Sequence, residues 1–115
     1  MHKPVTASLN HRRTRRRRPK GHSKVACYKG PFGLGPNLAL SMLDVSEAGI
    51  RLLVKSRLEV GQAIEVQLQG LGHTRPVKIL AEVVWAVAAA DGGYCIGARF
   101  DRSLGYPDLQ ALAVP

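Results

Sequence analysis

The chain has 115 residues, of which 45% are hydrophobic and 5% aromatic, enough for one small domain packed mainly by aliphatic side chains. Its 17 basic and eight acidic residues leave a net charge of +9, and nine of the basic ones (Lys3, Arg12, Arg13, Arg15, Arg16, Arg17, Arg18, Lys20, Lys24) lie in residues 1–24, where no acidic residue occurs. The rest of the chain is balanced, which excludes a uniformly basic protein and points to an N-terminal arm suited to phosphate.

In chain order, residues 1–22 are polar, basic and broken by Pro4, Pro19 and Gly21. With like charges adjacent and little to bury, they read as a flexible arm, disordered without a partner. The domain proper is expected over 23–115. From Val25 onward the pattern has period two, the signature of half-buried strands. Val25 and Cys27 begin it. Gly30 to Pro36 breaks it and reads as a hairpin connection. Leu38 to Val45 is a mostly apolar run that ends in the turn Asp44-Val45-Ser46-Glu47-Ala48-Gly49. Ile50, Leu52 and Val54 then alternate with Arg51, Leu53 and Lys55.

After a turn at Glu59–Gln62, Ile64, Val66 and Leu68 alternate with Glu65, Gln67 and Gln69. Beyond the polar turn Gly70–Thr74, the residues Val77, Ile79, Ala81, Val83, Trp85 and Val87 are expected on one inward face. Asp91-Gly92-Gly93 signals a hairpin. Tyr94, Ile96, Ala98 and Phe100 form the last inward row, and Pro107 to Leu112 reads as a short helix with proline near its start. Six strands without crossover helices predict an all-β fold, an antiparallel barrel or sandwich.

Little here suggests catalysis. No acid–base pair and no nucleophile with its base is evident, so the chain does not read as an enzyme. Cys27 and Cys95 sit in apolar runs and read as free buried thiols, too few for a disulfide scaffold or a closed zinc site. His2, His11, His22 and His73 lack metal-ligand spacing and read as mobile surface groups. The Gly30–Gly35 stretch has no following Lys-Ser or Lys-Thr and is not a phosphate loop. No apolar run reaches the ~18 residues of a membrane span, and no signal-like stretch precedes the arginines, so a cytoplasmic location is expected.

Two features carry chemistry. In Arg12-Arg13-Thr14-Arg15-Arg16-Arg17-Arg18, guanidinium groups can bond phosphate in pairs, stack on bases and read the O6/N7 edge of guanine. The turn at Asp44, Ser46 and Gly49 ends one strand and opens the next. Its Asp and Ser side chains either bond nearby amides or present acceptors to a ligand.

Together these features resemble the PilZ domain, the bacterial receptor for cyclic di-GMP. Its Arg-x-x-x-Arg motif fits Arg12 with Arg16 or Arg13 with Arg17. Its Asp/Asn-x-Ser-x-x-Gly motif fits Asp44, Ser46 and Gly49 without mismatch. Val60-Gly61, Glu82-Val83-Val84-Trp85 and Ile96-Gly97-Ala98-Arg99-Phe100 are similar too, and the likeness spans roughly residues 11–113. The resemblance implies a six-stranded antiparallel barrel with a short C-terminal helix. It implies cyclic di-GMP held between the arm and the Asp44–Gly49 turn, no cofactor, and a downstream protein that receives the signal when the arm orders. Two rivals remain: a nucleic-acid module with a basic RNA-binding tail, and a degenerate barrel that binds only protein. Single-strand binders need outward aromatics, and Tyr28, Trp85, Tyr94 and Phe100 mostly fall on rows expected to face inward.

Overall fold

Aliphatic residues at every second position can leave water only if the strands wrap their apolar faces around one interior. The chain does this in a computed structural model that describes residues 15–115. The strands are β1 (Lys24–Lys29), β2 (Ala39–Val45), β3 (Gly49–Val54), β4 (Ala63–Gln69), β5 (Val77–Ala88) and β6 (Tyr94–Phe100), followed by the helix α1 (Tyr106–Leu112). They form one antiparallel sheet in the order β1-β4-β5-β6-β3-β2, rolled into a nearly closed barrel. Leu52, Ile64, Val66, Leu68, Val83 and Ile96 are fully buried at its centre.

The expected hairpin at Gly30–Pro36 is corrected by this order. β1 pairs with β4, so the loop joins the two edge strands. It closes the barrel through Asn37, whose Oδ1 accepts the Cys27 and Ala39 amides, each at 2.9 Å. The Leu38 amide also donates to the Cys27 carbonyl at 2.8 Å.

Three β-bulges break the period of two. In β2 the register shifts between Ala39 and Ser41 and again between Met42 and Asp44. In β5 it shifts between Val83 and Trp85. Each extra residue exchanges the inner and outer faces beyond it. The expected inward row of β5 therefore holds only as far as Val83. Beyond the bulge Ala86 packs on the core, Val87 is exposed and Trp85 lies on the outer surface.

Leu109 and Leu112 anchor α1, and Gly70 meets the Ala111 backbone with no room for a Cβ. His73, expected to be mobile, is fixed there. Its Nδ1 accepts the Gly70 amide at 2.8 Å, which leaves Nε2 to donate to Asp108 Oδ1 at 3.0 Å. Residues 15–22, from the expected arm, run along the barrel. The Arg17 amide donates to the Val45 carbonyl at 2.8 Å and the Val45 amide to the Arg17 carbonyl at 3.0 Å. The Lys20 amide and Ser23 Oγ both donate to the Leu112 carbonyl, at 2.8 and 2.7 Å. Residues 1–14 lie outside the described residues.

Cys27 is buried as expected, whereas Cys95 is half-exposed, on the outer row opposite Leu53 and Val87. Burial disfavours the Cys27 thiolate and pushes its pKa up from 9.0 to about 11. The neutral thiol is thus favoured by the fold. Its stabilising effect is complete below the unfolded pKa and lost as pH rises from about 9 to about 11, up to roughly 2–3 kcal/mol. We expect urea stability to fall across that window more in the native chain than in Cys27→Ala. At neutral pH, iodoacetamide should label Cys95 in the folded protein and Cys27 only on unfolding.

Candidate functional site

The bulges compose an outward row across four strands. After the second β2 bulge Asp44 faces outward opposite Arg51 of β3. Arg51 pairs with Gly97 of β6, and Gly97 with Trp85 of β5. Gly97 has no side chain, and the space is filled by the indole, which a Cβ there would strike. The neighbouring row is Gly49, Arg99 and Glu82. Gly49 is also fixed by packing, since a Cβ would press on the Ala98 carbonyl oxygen of β6.

The β2–β3 turn is tied by Ser46. Its Oγ accepts the Ala48 and Gly49 amides, both at 3.2 Å, and its own amide donates to the Gly49 carbonyl at 2.9 Å. Arg17 forms the bridge to Val45, whose side chain is buried, so Arg16 emerges on the opposite, outer side with Ser46. A cavity of about 160 Å³ results, lined among others by Arg16, Ser46, Gly49, Trp85, Gly97 and Arg99.

The structure thus brings together three of the sequence-derived candidates, Arg16, Ser46 and Gly49. Asp44 sits just behind, 6% exposed and outside the cavity lining. Its Oδ2 accepts Arg51 Nε at 2.6 Å and Nη2 at 2.5 Å. That hydrogen bond, ahead of the charge attraction, raises the Arg51 pKa above its ordinary value. Asp44 Oδ1 is buried and has no hydrogen-bond partner among the described residues. Arg17 is turned away and lines a different hollow with Lys20 and Gln110. Arg12 and Arg13 lie outside the described residues.

Sequence reasoning missed Trp85, Arg99 and Arg51. Trp85 and Arg99 stand in stretches singled out for other reasons, but a β5 bulge has no compositional mark. Arg99 faces Glu82 at 3.3 Å with both side chains more than half exposed, a pair weak enough to yield to a stronger anion. The cavity therefore offers two guanidinium groups, a flat indole and the edge of a tightly bonded turn. These can hold phosphate and stack a base. No group of three His, Cys, Asp or Glu side chains among the described residues could hold a metal ion. Among them, no helix is long and apolar enough to cross a membrane.

The family model for the PilZ domain matches residues 10–113. The chain belongs to the PilZ family. Since the match spans nearly all of the 115 residues, the sequence given is a single PilZ domain. The family is one of cyclic di-GMP-binding domains, whose general role is binding rather than catalysis. A search of curated proteins returns no match.

Arg51→Ala would leave the buried Asp44 carboxylate without its only partner among the described residues. Because the Arg51 side chain is 40% exposed, the expected loss is moderate, about 1–3 kcal/mol in urea unfolding. Arg51→Lys, which keeps the charge but loses the paired donors, should recover part of it. An unchanged midpoint in Arg51→Ala would show that the pair does not stabilise the barrel.

Proposed function

We propose that the protein is a cyclic di-GMP receptor that binds the nucleotide between its basic arm and the β2–β3 turn, and passes the signal to another protein. The observation that carries this reading is the meeting of Arg16 with Ser46 and Gly49 around one cavity walled by Trp85 and Arg99. Cyclic di-GMP has two phosphates and two guanines. Arg16 and Arg99 suit a phosphate, and the Trp85 face suits a guanine. Asp44 Oδ1, a buried acceptor lacking a donor among the described residues, suits the N1–H and amino group of guanine once the arm opens a path to it.

Strand parity supports one register of the arginine motif. Arg16 shares the outer side with the cavity, and four residues earlier Arg12 completes Arg-x-x-x-Arg. Arg13 with Arg17 would use a residue absent from the cavity lining. Closure of the arm over the bound nucleotide would supply the switch. The outward Trp85 removes one argument against the nucleic-acid rival. Yet one indole in a small, half-open cavity suits a single base better than a track of stacked bases.

Calorimetry should give micromolar or tighter affinity for cyclic di-GMP, ~8 kcal/mol or more, with quenching of Trp85, the single tryptophan. Trp85→Ala should cost about 1–3 kcal/mol of binding. Equal competition by GTP, cyclic di-AMP or oligouridylate would reduce the arm to a polyanion tail and sink the reading.

An Arg→Lys scan from Arg12 to Arg18, read as affinity per folded molecule at fixed salt, should peak at Arg12 and Arg16. The other positions should change by only the few tenths of a kcal/mol of exposed charges. Peaks at Arg13 and Arg17 would overturn the register, and a flat profile would mean that only charge counts.

A further inference from the structure

The arm has a second basic face, which meets the nucleotide cavity only at Arg16. Arg17 lines a hollow of about 260 Å³ together with Lys20, Gln110, Ala113 and Pro115. Its Nε is shut off from solvent and has no hydrogen-bond partner among the described residues. Beside it is a hollow of about 210 Å³, walled by Arg15, Arg16, Arg17 and Arg18 with Val114 and Pro115. Both hollows share Arg17 and Pro115, so Val114 and Pro115 form an apolar ridge between two basic depressions. No acidic side chain lines either one. The Lys20 amide bonds the Leu112 carbonyl and the Val114 amide bonds the Arg18 carbonyl, both at 2.8 Å. Arm and ridge are therefore one surface, not two independent tails.

From this geometry we propose that the arm–ridge face docks an acidic, aliphatic segment of a partner protein. Its carboxylates would enter the two hollows, and an apolar side chain would cover Val114 and Pro115. Charge complementarity chooses the occupant. The planar fork of arginine matches a carboxylate with two parallel bonds. Neighbouring arginines repel one another until an anion sits between them. A protein segment is favoured over nucleic acid because Val114 and Pro115 provide aliphatic contact, and no aromatic side chain lines either hollow for a base to stack on. The inference rests on the receptor reading for its purpose, a receiver for the signal. Its test runs without nucleotide, so the two can fail separately.

The full chain is titrated with a short synthetic peptide of alternating Glu and Leu, and observed by NMR. Saturable shifts are expected at the Arg17 Nε–Hε and Val114 amide signals. The Arg17→Gln/Lys20→Gln variant, with its fold checked by Trp85 fluorescence, should bind at least about tenfold more weakly. Asp44→Ala, which strikes the nucleotide site, should bind the peptide as the native chain does. Absence of shifts would overturn the proposal. So would shifts confined to Trp85 and Arg99, equal binding by the double variant, or tighter binding of an oligouridylate of equal charge at the same signals.

Discussion

A side chain on a β-strand has only two directions, and one extra residue exchanges them. The candidate site depends on that constraint. With strict alternation β5 would send Trp85 into the interior and β2 would send Asp44 there. Two single-residue bulges, at Val84 and Leu43, reverse both assignments. The core does not suffer, because Ala86 and Val45 take the inward places instead. The bulges leave Gly97 between Arg51 and Trp85 as a gap in the outer surface, and the indole lies across it. Asp44 and Trp85 thus end on one side of the barrel although 41 positions separate them in the sequence.

What the sequence made legible follows from what is local. Ile64, Val66 and Leu68 mark β4 because each sees the same interior, and all three are fully buried. Gly92 marks the β5–β6 turn because it adopts a positive φ of 98°. The turn motif was legible for the same reason, since Ser46 reaches only to Ala48 and Gly49. Bulges were not legible. Val83-Val84-Trp85 is equally apolar in either phase, and only pairing with β6 decides which residue is left over. Nor was the Asp44–Arg51 pair, because it forms across two strands once the turn has set their register. The Gly30–Pro36 loop carried ordinary hairpin residues, but the partner of β1 is β4, a choice made by barrel closure.

The arm shows how a charged segment can be placed with most of its charges left exposed. Its anchors are mainly backbone groups, with Arg17 bonded to Val45, Lys20 to Leu112 and Arg18 to Val114. Backbone pairing holds the chain path while alternate side chains stay free to face different ways. Arg16 therefore borders the nucleotide cavity and Arg17 does not, although both wall the hollow beside Val114 and Pro115. A helix would have spread the same arginines around its circumference, with neighbours 100° apart. The extended form sorts them into two faces.

The Arg17–Val45 bridge has one more consequence. β2 lies at an edge of the sheet, and Asn37 and Leu38 close the seam only at its first residues. At its far end, Arg17 caps the amide and carbonyl of Val45 like a one-residue seventh strand. An uncapped strand edge is a template for another chain, and positive charge beside it is a common safeguard against stacking. Here the cap and the charge are one residue. Lifting the arm would bare a strand edge and carry its electrostatic guard away in the same movement, so colloidal stability is tied to the segment that also faces the ligand.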